Sequence, residues 1–345
     1  CGFLIFKYTY NKNNIKISSI LLLISNIFNM DNLFKPDNKL YWFNIDLNKQ
    51  LIINIRDNNT KDLTRYKNEI SLFYNNNDKN NPWNNITSKV FLFNEVTDNK
   101  KKINRAYFKL NEILQHFKIK IKTALCLCEA PGGFVQALCN NNNNIIWTAI
   151  SIPNNIQFSH TLKIYRNGSV IYKDILNDKI ELNYKVDIVT ADGGFDTSCS
   201  YDSQEILSID LIKCEIEIAC NHLKENGILI VKMFDINTDE SKELIINLYT
   251  LFERVNICKP PCSKPINSEK YIVCFGYTSK GIKRTNDEIK NLKQIINYIN
   301  YYSCEMQIYY LKLCLDELWD YSELNISKYK QLQDFYKLKY DNVYY

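Results

Sequence analysis

Three short stretches carry turns and charges that an ordinary hydrophobic core does not need. In "ALCLCEAPGGFVQAL", residues 124–138, Pro131, Gly132 and Gly133 fall together between an apolar run and the start of a helical pattern, in a chain with only nine glycines and seven prolines. An apolar strand closed by a glycine turn that opens a helix brings backbone N–H groups close to whatever lies above the strand end, and a Cβ there obstructs the approach. That pattern suggests a small-molecule site, although many α/β proteins use such a turn for packing alone. In "GILIVKMFD", residues 227–235, Lys232 interrupts a strand-like apolar run, where an unpaired ammonium is costly. "TADGG", residues 190–194, sets Asp192 at a strand exit, a place where Asp and Gly are also common for turn reasons alone. Lys109 on a helical pattern and Glu269 in a loop read, by themselves, as solvated charges.

The elements that must position these residues follow from periodicity. Residues 104–118 suit a helix, and apolar runs of strand length occur at 123–128, 145–151, 169–173, 186–191, 227–233 and 270–277. Helical spacing recurs at 203–224 and 240–252. Strands alternating with helices imply a mainly parallel sheet covered on both faces, with ligands bound beyond the strand C-termini. The segment 30–103 is polar and broken, with short apolar pieces such as "LYWFNI", "QLIINI" and "KVFLFNEV", and reads as a strand-containing N-terminal extension. The Tyr- and Lys-rich segment 279–345 reads as a helical C-terminal extension around a central unit at 104–278. Residues 15–28 are too short for a membrane span and lack a small-residue cleavage site. The first methionine is Met30, so the expectation is that translation starts there and that residues 1–29 are an upstream artefact or disordered.

Composition narrows the classes. The chain has 345 residues, 46% of them hydrophobic, and a formal charge of +5, a mildly basic balance that permits a nucleic-acid partner without requiring one. Its twelve cysteines form no repeated C-x₂-C pair at zinc-site spacing, so free thiols in a reducing, cytoplasmic setting are expected, with no metal and no membrane partner. The glycine turn is neither G-x-G-x-x-G nor a Walker A sequence, which argues against dinucleotides and nucleoside triphosphates.

Six motifs then occur in one order: "RAYFKLNEI" (105–113), "LCEAPGGF" (127–134), "KDI" (173–175), "DIVTADGGFD" (187–196), "GILIVKMFD" (227–235) and "KPINSEKYIVCFGY" (264–277). This order resembles the FtsJ-like ribose 2′-O-methyltransferases, and within them the branch that includes cap-specific mRNA methyltransferases of large DNA viruses and adrift-type eukaryotic domains. The resemblance implies a Rossmann-like S-adenosylmethionine-dependent fold, α/β, with a mainly parallel seven-stranded sheet whose last strand is antiparallel. It implies a Lys-Asp-Lys-Glu tetrad at Lys109, Asp192, Lys232 and Glu269. It also implies that Gly132, Gly133 and Phe134 lie beside the methionine part of S-adenosylmethionine, that Asp174 contacts its adenine, and that Asp192 serves both sites.

The implied chemistry is metal-free. A sulfonium methyl is already electrophilic, so the barrier lies in aligning a poorly acidic ribose hydroxyl and removing its proton. Lys232 is the candidate base. A lysine at its ordinary pKa of about 10.4 is mostly protonated at neutral pH; a second cation nearby and loss of water favour release of that proton, while Asp192 and Glu269 orient both ammonium groups. The residues leave open whether Lys109 or Lys232 is base or electrostatic stabiliser.

Two departures bear on cofactor affinity. Cys126 stands where the family often has an acidic residue in its first strand, and Ser151 ends the second strand where many methyltransferases use a carboxylate for the cofactor ribose. The expected function is methylation of the 2′-hydroxyl at the capped 5′ end of mRNA, in the cytoplasm, a viral factory or a virion. Methylation of ribosomal or transfer RNA, and a catalytically silent RNA-binding or scaffold subunit, are the alternatives.

Overall fold

The computed structural model describes residues 43–49, 60–70, 82–90, 102–153, 156–194, 204–260 and 262–319. The expectations for residues 1–29, for "QLIINI" and for most of "KVFLFNEV" lie outside the described residues.

The core is one mixed sheet. Its strands are β1 (Phe43–Asp46), β2 (Thr123–Leu127), β3 (Ile146–Ser151), β4 (Gly168–Tyr172), β5 (Val186–Ala191), β6 (Leu223–Met233), β7 (Phe252–Lys259) and β8 (Lys270–Tyr277), in the order β1-β7-β8-β6-β5-β2-β3-β4. The pairs β2–β3, β3–β4, β2–β5 and β5–β6 are parallel, whereas β8 runs antiparallel to both β6 and β7. Strands β2 to β8 thus form the expected seven-stranded arrangement with its last strand antiparallel. The sheet nevertheless has eight strands: β1, from the N-terminal extension, adds antiparallel to the β7 edge, pairing Phe43 with Lys259 and Ile45 with Ile257. Ile45 and Leu47 bury against the core there, which is why this short edge strand docks.

Seven helices are described: α1 (Thr60–Ile70), α2 (Pro82–Val90), α3 (Ala106–His116), α4 (Gly133–Asn141), α5 (Gln204–His222), α6 (Asp239–Leu251) and α7 (Asn286–Trp319). A 3₁₀ turn covers His160–Ile164. Helix α6 is capped by Thr238, whose side chain accepts from the Ser241 N–H, with Asp239 and Glu240 in its first turn. Helix α7 begins with a capping box in which Thr285 Oγ1 accepts from the Glu288 N–H and Glu288 Oε2 accepts from the Thr285 N–H.

Alternation along the strands splits the core into two clusters, one on each face. Ala124 and Cys126 of β2, Ala149 of β3 and Ile230 of β6 pack with α3 and α4, together with Tyr271 and Val273 of β8. Leu125, Leu127, Val189, Val231 and Met233 point the other way, toward α5 and α6. Helix α7 serves both faces: Leu292, Ile295 and Ile299 join the second cluster, while Cys304, Leu311 and Leu315 join the first. None of the described helices is long and apolar enough to cross a membrane. The ten described cysteines are all free thiols.

Candidate active site

The sheet's direction brings the tetrad to one edge. Strands β2 and β5 are in register at Leu127 and Ala191, so Asp192 emerges just past the parallel strand ends. Lys232 is the penultimate residue of parallel β6, and antiparallel β8 starts at the same edge, with Lys232 opposite Tyr271 and Met233 opposite Lys270. Glu269 therefore enters beside Lys232 although β8 runs the other way. The two-residue alternation sends Lys232 to the face of Ile230, which is the face that α3 covers. Helix α3 carries Lys109 between the buried Phe108 and Leu110.

Two ion pairs result. Lys109 Nζ donates to Glu269 Oε2 at 2.7 Å, with the two side chains 15% and 12% exposed. Lys232 Nζ lies 3.3 Å from Asp192 Oδ1 and donates to the Asp192 carbonyl at 2.8 Å. The Tyr271 hydroxyl donates to the same Asp192 Oδ1 at 2.8 Å. Burial works against ionisation of Glu269, but the fields of Lys109, Lys232 and Lys259 outweigh it and hold its carboxyl at about 2. Burial likewise works against the Lys109 charge, yet Glu269 and Asp192 overcome it and raise Lys109 above the usual lysine value. Lys109 is thus an ammonium at neutral pH, suited to stabilising negative charge and unsuited to accepting a proton.

The glycine turn lies next to this edge. Gly132 has φ +117°, a conformation that favours glycine, and caps α4. A Cβ on Gly133 would lie 1.9 Å from Asn104 Oδ1 and 2.9 Å from the Tyr107 backbone nitrogen. The glycine therefore lets the start of α3 approach, so packing supplies at least part of its reason. At the first turn of α4 the Glu129 carboxylate accepts the N–H groups of Phe134 and Val135 at 2.8 and 2.9 Å. Burial pushes that carboxyl up to about 8, against those two hydrogen bonds.

Behind Asp192 stands a second buried carboxyl. Glu215 of α5 accepts the Gly193 N–H at 3.0 Å, and burial pushes it up to about 7. A cavity of about 370 Å³, lined in part by Leu114, Lys118, Ile121 and Asn142, opens at the opposite end of the sheet and contains none of the tetrad side chains.

Residues 103–277 match the FtsJ-like methyltransferase family. The chain belongs to that family. It is 27% identical over 223 residues to the cap-specific mRNA (nucleoside-2′-O-)-methyltransferase of Autographa californica nuclear polyhedrosis virus, covering 56% of this chain and 85% of that relative. It is 34% identical over 219 residues to cap-specific mRNA (nucleoside-2′-O-)-methyltransferase 2 of Danio rerio, covering 53% of this chain but only 30% of that protein. A Plasmodium falciparum chain named as a ribosomal RNA methyltransferase aligns over 50% of this chain and 97% of its own length, at TM-score 0.42 and 21% identity.

The other FtsJ-like site residues expected from the sequence distribute along the same edge. Phe134 is 1% exposed and packs its ring on Tyr271, with centroids 6.2 Å apart. It thereby supports the tyrosine that holds Asp192. Asp174 follows β4, and its carboxylate accepts the Leu176 N–H at 3.1 Å and the Asn177 side chain at 2.7 Å, closing its own turn. Ser151 ends β3 and is buried, and Cys126 is fully buried inside β2 with its thiol pushed well up by burial.

Sequence reasoning missed Tyr271, Glu129, Glu215 and Lys259. For Lys259 the missed signal was the one that found Lys232, a lysine ending an apolar strand. For Glu215 it was a carboxylate within "IKCEIEIAC" on the same helical face as the buried Ile212 and Ala219.

Proposed function

We propose that this chain transfers a methyl group from S-adenosylmethionine to the ribose 2′-hydroxyl at the capped end of an mRNA. The observation that carries the reading is the convergence of the Lys109–Glu269 and Lys232–Asp192 pairs on one sheet edge, next to the glycine turn. Two relatives named as cap-specific mRNA methyltransferases support the substrate class.

The residues present suit the cofactor's charge. Asn104 Oδ1 is buried, has no hydrogen-bond partner among the described residues and abuts the glycine turn. With the Asp192 carboxylate it makes an acceptor lining, which fits a molecule bearing a sulfonium and an ammonium. Asn104, Asp192 and the Gly132–Gly133 turn are the residues that would hold it. When bound, S-adenosylmethionine supplies an electrophilic methyl.

The chain's own residues supply the rest. Lys232 Nζ is the proton acceptor for the 2′-hydroxyl, oriented by the Asp192 carboxylate and carbonyl. Lys109 Nζ, kept protonated by Glu269 and Asp192, faces the negative charge developing on that oxygen. Tyr271 fixes the Asp192 carboxylate from the other side of its oxygen.

The test is transfer of a labelled methyl to matched RNAs with and without a cap. Label confined to ribose of the capped RNA supports the reading. Equal label on both would reassign the substrate to internal RNA sites, and no label despite RNA binding would favour a non-catalytic subunit.

A further inference from the structure

Lys259 ends β7 with its side chain fully buried, and no carboxylate side chain lies within ion-pair distance of it among the described residues. Four oxygens surround its ammonium: Ser263 Oγ at 3.2 Å, the Asn267 carbonyl at 2.9 Å, Asn267 Oδ1 at 2.7 Å and the Glu269 carbonyl at 2.6 Å. All of them belong to the turn that leads into Glu269. Ser263 Oγ, while accepting from Lys259, donates to Glu269 Oε1 at 2.8 Å. Glu269 is therefore held at its backbone by Lys259, at one carboxylate oxygen by Ser263 and at the other by Lys109.

We propose that Lys259 is a positioning residue for methyl transfer: its buried ammonium gathers the Cys262–Glu269 turn around itself, and this fixes the Glu269 carboxylate against Lys109. The inference rests on the methyltransferase reading above and adds to it a residue outside the tetrad.

Three considerations favour a role through Glu269 over simple packing. An aliphatic side chain of the same length would fill the space without four oxygens pointed at its tip, and carbonyls left without a donor there would be costly. An ammonium, with three N–H donors and no acceptor, suits a cage made only of oxygens, one of which must share a donor with another. Burial pushes Lys259 well below the usual lysine range, Glu269 opposes this, and Lys270 and Lys109 add to it, so an amine at this place carries a cost that methionine would not. The same charge also acts on Glu269 directly, as one of the three cations that keep its carboxyl ionised.

The experiment is a double-mutant cycle of Lys259→Met with Glu269→Gln, read as kcat for methyl transfer and as cofactor affinity by calorimetry. Lys259→Met is expected to lower kcat about 10²-fold, the scale of a small misplacement of a catalytic group. Cofactor affinity should stay within about two-fold of wild type, because the residues assigned to it lie outside the Cys262–Glu269 turn. The double variant should be no slower than the slower single one, since both changes remove the same correctly placed carboxylate. Multiplicative losses, or an equal loss of cofactor affinity, would overturn the proposal.

Ser263→Ala removes one hydroxyl from the same cage and guards against failure of Lys259→Met to fold. It should lower kcat several-fold and be non-additive with Glu269→Gln in the same way, whereas full activity would contradict the proposal. Crystal structures of the wild-type chain and of Ser263→Ala give a readout that needs no turnover: the Glu269 carboxylate should leave Lys109, and an unmoved carboxylate would count against the idea. Wild-type protein that transfers no methyl while Glu269 still shifts in Ser263→Ala would sink the methyltransferase reading and leave the positioning relationship standing.

Discussion

Lys109 and Glu269 meet at 2.7 Å although 160 residues of chain separate them, and both are mostly withdrawn from water. One comes from a helix covering the sheet and the other from the loop entering its antiparallel strand. Their contact closes the site from the β8 side and sets the charge state of both partners.

The pair predicts a pH window for stability. Glu269 is depressed to about 2 from the ordinary carboxylate value of 4.5, so its contribution is complete above pH 4.5 and is lost as pH falls through about 2. Lys109 is raised above 10.5, so its contribution is complete below pH 10.5 and is lost as pH rises beyond its folded value. Glu269→Gln should cost roughly 1–3 kcal/mol at pH 7 and should flatten the acid side of the Tm profile. Thermal melts from pH 3 to 9 check this, and an unchanged acid slope would be the contrary result.

Glu215 predicts the opposite trend. Burial lifts its folded pKa to about 7 from the ordinary carboxylate value of 4.5, so the protonated form favours folding and stability declines as pH rises from 4.5 to 7. Glu215→Gln keeps an oxygen for the Gly193 N–H and removes the buried charge. It should gain up to about 3 kcal/mol over wild type at pH 8 and almost nothing at pH 4. Denaturant melts at both pH values decide it, with an equal effect at each counting against burial as the cause.

Gly133 predicts a packing defect that reaches the site. A methyl group there would meet Asn104 Oδ1 at 1.9 Å and the Tyr107 nitrogen at 2.9 Å, and the backbone atom cannot swing aside as a side chain would. Gly133→Ala should destabilise by about 1–3 kcal/mol and shift the start of α3, lowering transfer as well. Undiminished Tm would show that the turn has more room than the structure gives it.

The tetrad was legible because each member sits in a local motif whose order along the chain is informative, and because Lys232 broke an apolar strand. The sheet was legible from apolar runs with turns between them. Strand β7 was not, since the exposed Glu253 and Arg254 are followed by continuously buried residues from Val255 to Lys259, a pattern with no alternation to read. Strand β1 is four residues long and falls partly within the apolar piece "LYWFNI", but its place on the β7 edge is set by docking and has no local mark. Tyr271 escaped because Asp192 lies 79 residues away and only the folded sheet joins them; Lys259 escaped because the run around it in β7 shows no alternation, although its partners in the Glu269 turn are within ten residues.

The central claim is that Lys232 takes the proton from a ribose hydroxyl beside a bound methyl donor. Its most direct test is single-turnover methyl transfer by Lys232→Ala, with S-adenosylmethionine affinity measured on the same preparation. The account predicts transfer lowered by at least about 10³-fold with cofactor affinity near wild type; transfer at the wild-type rate would contradict it.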